Sequence, residues 1–156
     1  APTQRGLFGV DFQWDGRTLW PVEINPRYTA AVELLEWATR RALFGEHVLA
    51  CGGEIPPTPP NSLRHTAQTV FGKLILYVRN ALHTPDPSRW LRTRHPWSIP
   101  FVADLPQAST HYAPGMPLCT VYATGANPVD VELKLKRRAD RIRNWWGDSP
   151  EHHNGS

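Results

Sequence analysis

The sequence is poor in sulfur and in long apolar runs. It holds 2 Cys and 1 Met among 156 residues. Cys51 and Cys119 lie far apart and neither belongs to a C-x-x-C pair, which excludes a disulfide framework and a cysteine-rich zinc module. They read as two reduced, buried thiols of a cytoplasmic protein. No apolar stretch reaches membrane-spanning length and no secretory segment is found, so no membrane partner is expected. Histidine shows no useful pairing either. His47, His65, His83, His95 and His111 have no paired spacing on a common face, and they read as surface or capping residues. His152-His153 falls in a polar tail. No internal repeat is present.

What remains is enough to build a core. The chain is 40% hydrophobic and 20% charged, with 7 Trp, so disorder is not expected for most of it. The net charge is +3, with many of the basic residues gathered in Lys134, Lys136, Arg137, Arg138, Arg141 and Arg143. Such a stretch is either a solvated helix face or a surface for nucleic acid or an acidic partner. The chain opens Ala1-Pro2-Thr3 and enters an apolar segment within a few residues, as a cut through a larger protein would.

Leu7 to Trp14 is predicted as a strand and Leu19 to Ile24 as its antiparallel partner, with Asp15-Gly16 as the turn signal. Thr29 is predicted to cap a helix through Ala31, Leu34, Leu35, Ala38 and Ala42. A second short helix is expected over Glu46 to Cys51, closed by Gly52-Gly53. Pro56, Pro57, Pro59 and Pro60 then break the pattern. Beyond them Val70 to Val78 is β-rich, and an irregular stretch follows around Pro85, Pro87, Pro96 and Pro100. Leu118 to Ala123 is another strand. Asn127-Pro128 is an N-cap with proline at the first helical position, and the helix behind it presents Val131, Leu135, Ala139, Ile142 and Trp146 on one face. The division expected is 1–55, a linker 56–69, a second unit 70–147 and a polar tail 148–156.

The chemistry sits in G-V-D-F followed by E-I-N-P-R, which supplies Asp11, Glu23, Asn25 and Arg27. Glu23 and Asn25 project from the same face of a strand. If Asp11 on the neighbouring strand registers alongside, three hard-oxygen side chains share one surface, which suits a magnesium ion. Arg27 follows Pro26, and its fork can hold an anionic group. A two-residue Asp15-Gly16 turn would pair Asp11 with Trp20 and send Glu23 to the other face. An odd loop of roughly three or five residues restores the parity. It also gathers Val10, Phe12, Val22 and Ile24 into an apolar layer on the opposite face, so the odd loop is expected.

Phe8-Gly9-Val10-Asp11-Phe12 and Glu23-Ile24-Asn25-Pro26-Arg27 resemble, in order and separation, the two metal-binding strands of ATP-grasp enzymes. The helix after Tyr28, with Thr29, Ala30 and Ala31 at its start, is similar as well. The resemblance implies an α+β fold, namely the C-terminal lobe of an ATP-grasp enzyme with antiparallel strands and packed helices. It implies ATP as co-substrate and Mg²⁺ or Mn²⁺ as metal. Asp11 and Glu23 would bind one ion, and Glu23 and Asn25 a second, with Glu23 bridging. Glu23, Asn25 and Arg27 would face the nucleotide's phosphates, with Arg27 as the catalytic contact to the transferring phosphate or the carboxylate. The reaction implied joins a small-molecule carboxylate to an amine through an acyl phosphate.

Phe71 to Tyr77 resembles, less specifically, a strand of the small β-rich C-terminal subdomain in biotin carboxylase-like members, and Lys73 within it reads as a rim lysine. The family's glycine-rich loop, phosphate-holding lysines and adenine hinge are absent. The implied partner is therefore the missing N-terminal ATP-grasp region, and the isolated chain is not expected to turn over. Two other readings stand beside this one. One is a non-catalytic ATP-grasp-like interaction module that uses its basic helix, against which the joint presence of Asp11, Glu23, Asn25 and Arg27 argues. The other is a nucleic-acid binder stacking bases on Trp145-Trp146, which is the less favoured.

Overall fold

The computed structural model describes residues 5–54, 69–91 and 98–148. The chain is a mixed α and β protein with antiparallel sheets and three α-helices among these residues. It divides into two units, Ala1–Arg64 and His65–Ser156. The proline cluster at 56–60 lies outside the described residues.

The first unit is a hairpin followed by two short helices. β1 (Gly9–Trp14) pairs antiparallel with β2 (Leu19–Asn25). α1 spans Val32–Thr39 and α2 spans Leu43–Ala50. The single helix expected through Ala42 is cut, because Arg40 turns left-handed at φ 57° and ends α1. Thr29 does not cap α1 with its side chain. The N-cap is Ala31, without a side-chain hydrogen bond, and the Thr29 carbonyl accepts from the Val32 N–H at 3.0 Å. The Thr29 methyl instead presses on Gly9, where an added Cβ would lie 2.5 Å from it.

α2 is tied to the chain before β1. The Leu7 N–H donates to His47 Nδ1 at 2.9 Å, and Gly6 sits so close that any Cβ would collide with the same ring. Glu36 joins the two helices, accepting from the Tyr28 hydroxyl at 2.8 Å and from the Phe44 N–H at 2.9 Å. Burial and then the Glu36 carboxylate hold the Tyr28 phenol above its ordinary range.

The second unit holds the core. β3 (Val70–Tyr77), β7 (Pro117–Gly125) and β5 (Val102–Ala103) form a three-stranded sheet in the order β3-β7-β5. β4 (Leu82–His83) and β6 (His111–Tyr112) form a separate two-stranded ribbon. The stretch read as irregular thus contains three short strands, as well as a 3₁₀ turn at Pro87–Trp90. Strands of two residues leave almost no periodic signal in a sequence.

β7 is the central strand. Leu118 to Ala123 are all buried, as a strand paired on both edges and covered on its faces requires. α3 (Pro128–Trp146) lies across β3 and β7, with Val131, Ala139, Ile142 and Trp146 buried. The Asn127 side chain accepts from the Asp130 N–H at 2.9 Å, with proline in the first turn, as the sequence predicts. The close approach depends on Gly72, since a Cβ there would stand 2.5 Å from Val131 Cγ1.

Residue 148, expected to open a polar tail, belongs instead to the packed unit, and residues 149–156 lie outside the described residues. Asp148 is fully buried. Its Oδ1 accepts from the backbone N–H groups of Arg79 and Asn80 at 2.9 and 3.0 Å, and its Oδ2 accepts from Arg143 at 2.7 Å. Gly147, at φ 73°, turns the chain so that Asp148 can reach back past the helix end. A helix-ending glycine followed by Asp looks like the start of a solvated tail until the end of β3 is seen beside it.

Candidate functional site

The site predicted from sequence lies on the first unit's hairpin. The connection between the strands is four residues long, 15–18, because Trp14 pairs with Leu19. Asp15 organises it. Its carboxylate accepts from the Arg17 and Thr18 N–H groups, each at 2.8 Å, and from the Trp20 indole at 3.0 Å. Those bonds, the indole's first, hold the Asp15 carboxyl below its ordinary range.

An even loop should have sent Glu23 to the wrong face, yet Asp11 pairs directly with Glu23. The parity is restored inside β2 and not in the turn. Phe12 pairs with Pro21, and the register then shifts so that Val22 is the extra residue of a β-bulge. The expectation of an odd loop is thus corrected, while the side-by-side placement of Asp11 and Glu23 stands. Pro21 has no N–H to give a regular ladder, which fits a bulge at this point.

The four residues divide as follows. Asp11 and Glu23 face each other across the strands, both exposed. Asn25 ends β2 opposite Gly9 and donates from Nδ2 to Asp11 Oδ2 at 3.3 Å. Arg27 donates from Nη2 to Asn25 Oδ1 at 3.3 Å and from Nη1 to the Tyr28 carbonyl at 3.4 Å. Asp11, Asn25 and Arg27 therefore form one hydrogen-bonded chain, and the Glu23 carboxylate has no bonding partner among the described residues. All three members of that chain line a cleft of about 560 Å³ whose other walls come from Gly9, Thr29 and α1. Glu23 is not among the lining residues.

Two carboxylates placed directly opposite repel, at roughly 0.2–1 kcal/mol for a cross-strand pair. The arrangement suits a cation. Among the described residues no three His, Cys, Asp or Glu side chains gather as a metal cage. This group offers two carboxylates and one amide, the donor set of a hard cation that keeps water and phosphate oxygens in its other positions. Asp11 and Glu23 supply carboxylate oxygens of that kind from directly paired positions. Asn25 fits only if its oxygen leaves Arg27, by rotation or by exchange of its amide O and N.

Of the apolar layer expected on the opposite face, Val10 is half-buried and lines the cleft, while the other three residues are uncovered. Phe12, Val22 and Ile24 are 53%, 68% and 57% exposed. In the described part of this unit Val32 is the only buried hydrophobic residue. The pattern correctly places these residues on the face away from Asp11, but it does not supply what packs against them.

The basic helix is mostly engaged within its own unit. Lys134 pairs with Asp130 and donates to the Thr124 carbonyl, Lys136 pairs with Glu132, and Arg143 pairs with Asp148. Arg138 donates to the Tyr122 carbonyl and stands 4.8 Å from the Phe101 ring centre, while Arg141 lies against Trp90 and Phe101. Trp146 is buried, and Trp145 packs edge-on against Trp90 at 5.6 Å. Trp145 itself is half-buried, with the Arg89 guanidinium over its ring at 5.0 Å from the centre.

Sequence reading missed one pairing. His83 and His111 stand directly opposite each other on β4 and β6, with ring centroids 5.0 Å apart. They are 28 residues apart in sequence, so no local spacing reveals them. Comparison with protein-family models, curated proteins and solved structures finds no match to this chain.

Proposed function

We propose that this chain is the C-terminal part of an ATP-dependent carboxylate–amine ligase of the ATP-grasp type, acting through an acyl phosphate. The observation that carries the proposal is the β2 bulge, which costs the hairpin a regular ladder and brings Asp11 opposite Glu23. The motif E-I-N-P-R continues from there into Asn25 and Arg27 beside the same cleft. Asp11 and Glu23 would hold Mg²⁺ or Mn²⁺, with Asn25 as the further oxygen donor. The ion, when bound, offsets the charge of the ATP phosphates.

The chain's own groups have simpler tasks. Arg27 presents a planar fork to an anionic oxygen at the cleft, where it orients the transferring phosphate or the carboxylate substrate. Without an ion, Asn25 holds Arg27 through its oxygen and Asp11 through its amide N–H; with the Asn25 oxygen given to an ion, the Arg27 fork would be released to the anionic group. The partner implied is an N-terminal ATP-grasp region that supplies the glycine-rich loop and adenine pocket, and the uncovered Phe12, Val22 and Ile24 support such a covering element. Two unpaired thiols, Cys51 exposed and Cys119 buried, support a reducing, cytoplasmic setting. No described helix is long and apolar enough to cross a membrane.

The test is Mn²⁺ titration of the chain, followed by paramagnetic broadening of backbone amide signals. Broadening centred on Asp11, Glu23 and Asn25 is expected, with Glu23→Gln weakening Mn²⁺ binding about tenfold or more. Broadening confined to other residues, or unchanged in Glu23→Gln, removes the metal site and the ligase reading with it.

A further inference from the structure

We propose that His83 and His111 form a second metal site, selective for a late first-row divalent ion such as Cu²⁺ or Zn²⁺ and separate from the hard-cation group on the hairpin. The two residues are exact cross-strand partners on the β4–β6 ribbon. The next pair along, Thr84 and Thr110, is hydrogen-bonded through the Thr84 N–H at 3.0 Å. Hydrogen-bonded and non-bonded pairs alternate along an antiparallel ladder, so His83 and His111 occupy a non-bonded pair, the position where side chains come closest.

The separation of the rings fits chelation. A metal–nitrogen bond is about 2.0–2.1 Å, and the nitrogen lies about 1.1 Å from its ring centre, so metal and centroid stand about 3.2 Å apart. At bond angles of about 90–110° the two centroids are then about 4.5–5.2 Å apart. The observed separation is 5.0 Å with the planes tilted by 52°. Both residues are exposed, and among the described residues no hydrogen bond or ion pair occupies their ring nitrogens. Imidazole is the ligand these metals prefer over the oxygen donors that suit magnesium.

The site is open. Thr84 beside it is committed, since its hydroxyl donates to the Gln107 carbonyl at 2.6 Å and accepts from the Thr110 N–H at 3.2 Å. Two coordination positions come from the protein, and the others are left to water or an exchangeable anion. The backbone holds both histidines in place before the ion arrives, because Thr84 fixes the ribbon's end through Gln107, Ser109 and Thr110.

The experiment is titration of the full chain with Cu²⁺ and with Zn²⁺ at pH 8, above the ordinary imidazole range. Binding is followed by calorimetry and, for Cu²⁺, by electron paramagnetic resonance. Wild-type chain should show one ion with a two-nitrogen signature, beside any oxygen-ligated ion held by the hairpin group. His83→Gln and His111→Gln should each weaken it about tenfold or more and leave a one-nitrogen signature, while Glu23→Gln should leave it unchanged. Circular dichroism of both variants should match wild type, because the two side chains are exposed. The inference is overturned if no ion binds up to millimolar concentration. It is equally overturned if both histidine variants bind as tightly as wild type, which would assign the ion to Cys51 or to the remaining histidines.

Discussion

Cys119 and Cys51 illustrate how strongly position alters one kind of side chain. Both were expected to be buried, and only Cys119 is, because Cys51 stands exposed at the C-terminal end of α2. Burial, the largest cause, pushes the Cys119 thiol up to about 12, so almost no thiolate forms there near neutrality. In native protein at pH 8 a disulfide reagent should therefore modify one thiol quickly, and the second only after denaturation. Two rapid equivalents would show that β7 opens easily. The same contrast separates Asp15 from Asp148. Asp15 is exposed and organises a turn, whereas Asp148 is buried against Arg143 and two backbone N–H groups. Removing one partner of a buried pair leaves an unmatched charge, a loss of roughly 3–5 kcal/mol. Nothing in the polar run around Asp148 distinguishes it, because its partners Arg79 and Asn80 lie far away in sequence.

At the scale of elements, close packing at one glycine sets the position of α3. Gly72 faces Val131, a β-branched residue with little freedom to turn aside. Gly72→Ala should destabilise the second unit by about 1–3 kcal/mol, from overpacking. Val131→Ala should recover part of that loss when the two are combined, measured as a double-mutant cycle by urea unfolding. Strict additivity would show that the helix is held elsewhere. The helix itself was legible from its cap and its apolar stripe, since both are local. The break at Arg40 and the β2 bulge were not. The first is one left-handed residue and the second one residue left out of the strand pairing, and neither is marked by a local period.

For the whole molecule, the two units differ in how much apolar surface they bury. The second has a core of Leu76, Val78, Val102, Leu118, Val121, Ala139, Ile142 and Trp146. The first leaves Phe8, Phe12, Trp14, Leu19, Trp20, Val22 and Ile24 all more than half exposed. Burial is what slows local opening. Backbone amides of β7 should exchange with solvent at least about two orders of magnitude more slowly than those of β1 and β2. Equal protection in both units would mean that the hairpin is covered in solution by something the chain itself provides.

Some of this protein follows from its sequence alone. The alternation of apolar and polar residues gives the hairpin, the Asn127-Pro128 signal starts α3, and the spacing of Asp11, Glu23, Asn25 and Arg27 names the candidate metal group. These depend on periods of two and 3.6 residues and on caps, which are properties of neighbours along the chain. Other features were decided only in three dimensions. They are the bulge that sets Asp11 against Glu23, the burial of Asp148, the engagement of the basic helix and the meeting of His83 with His111. Each joins residues through strand register or helix packing, and a pairing of that kind leaves no mark on either segment by itself.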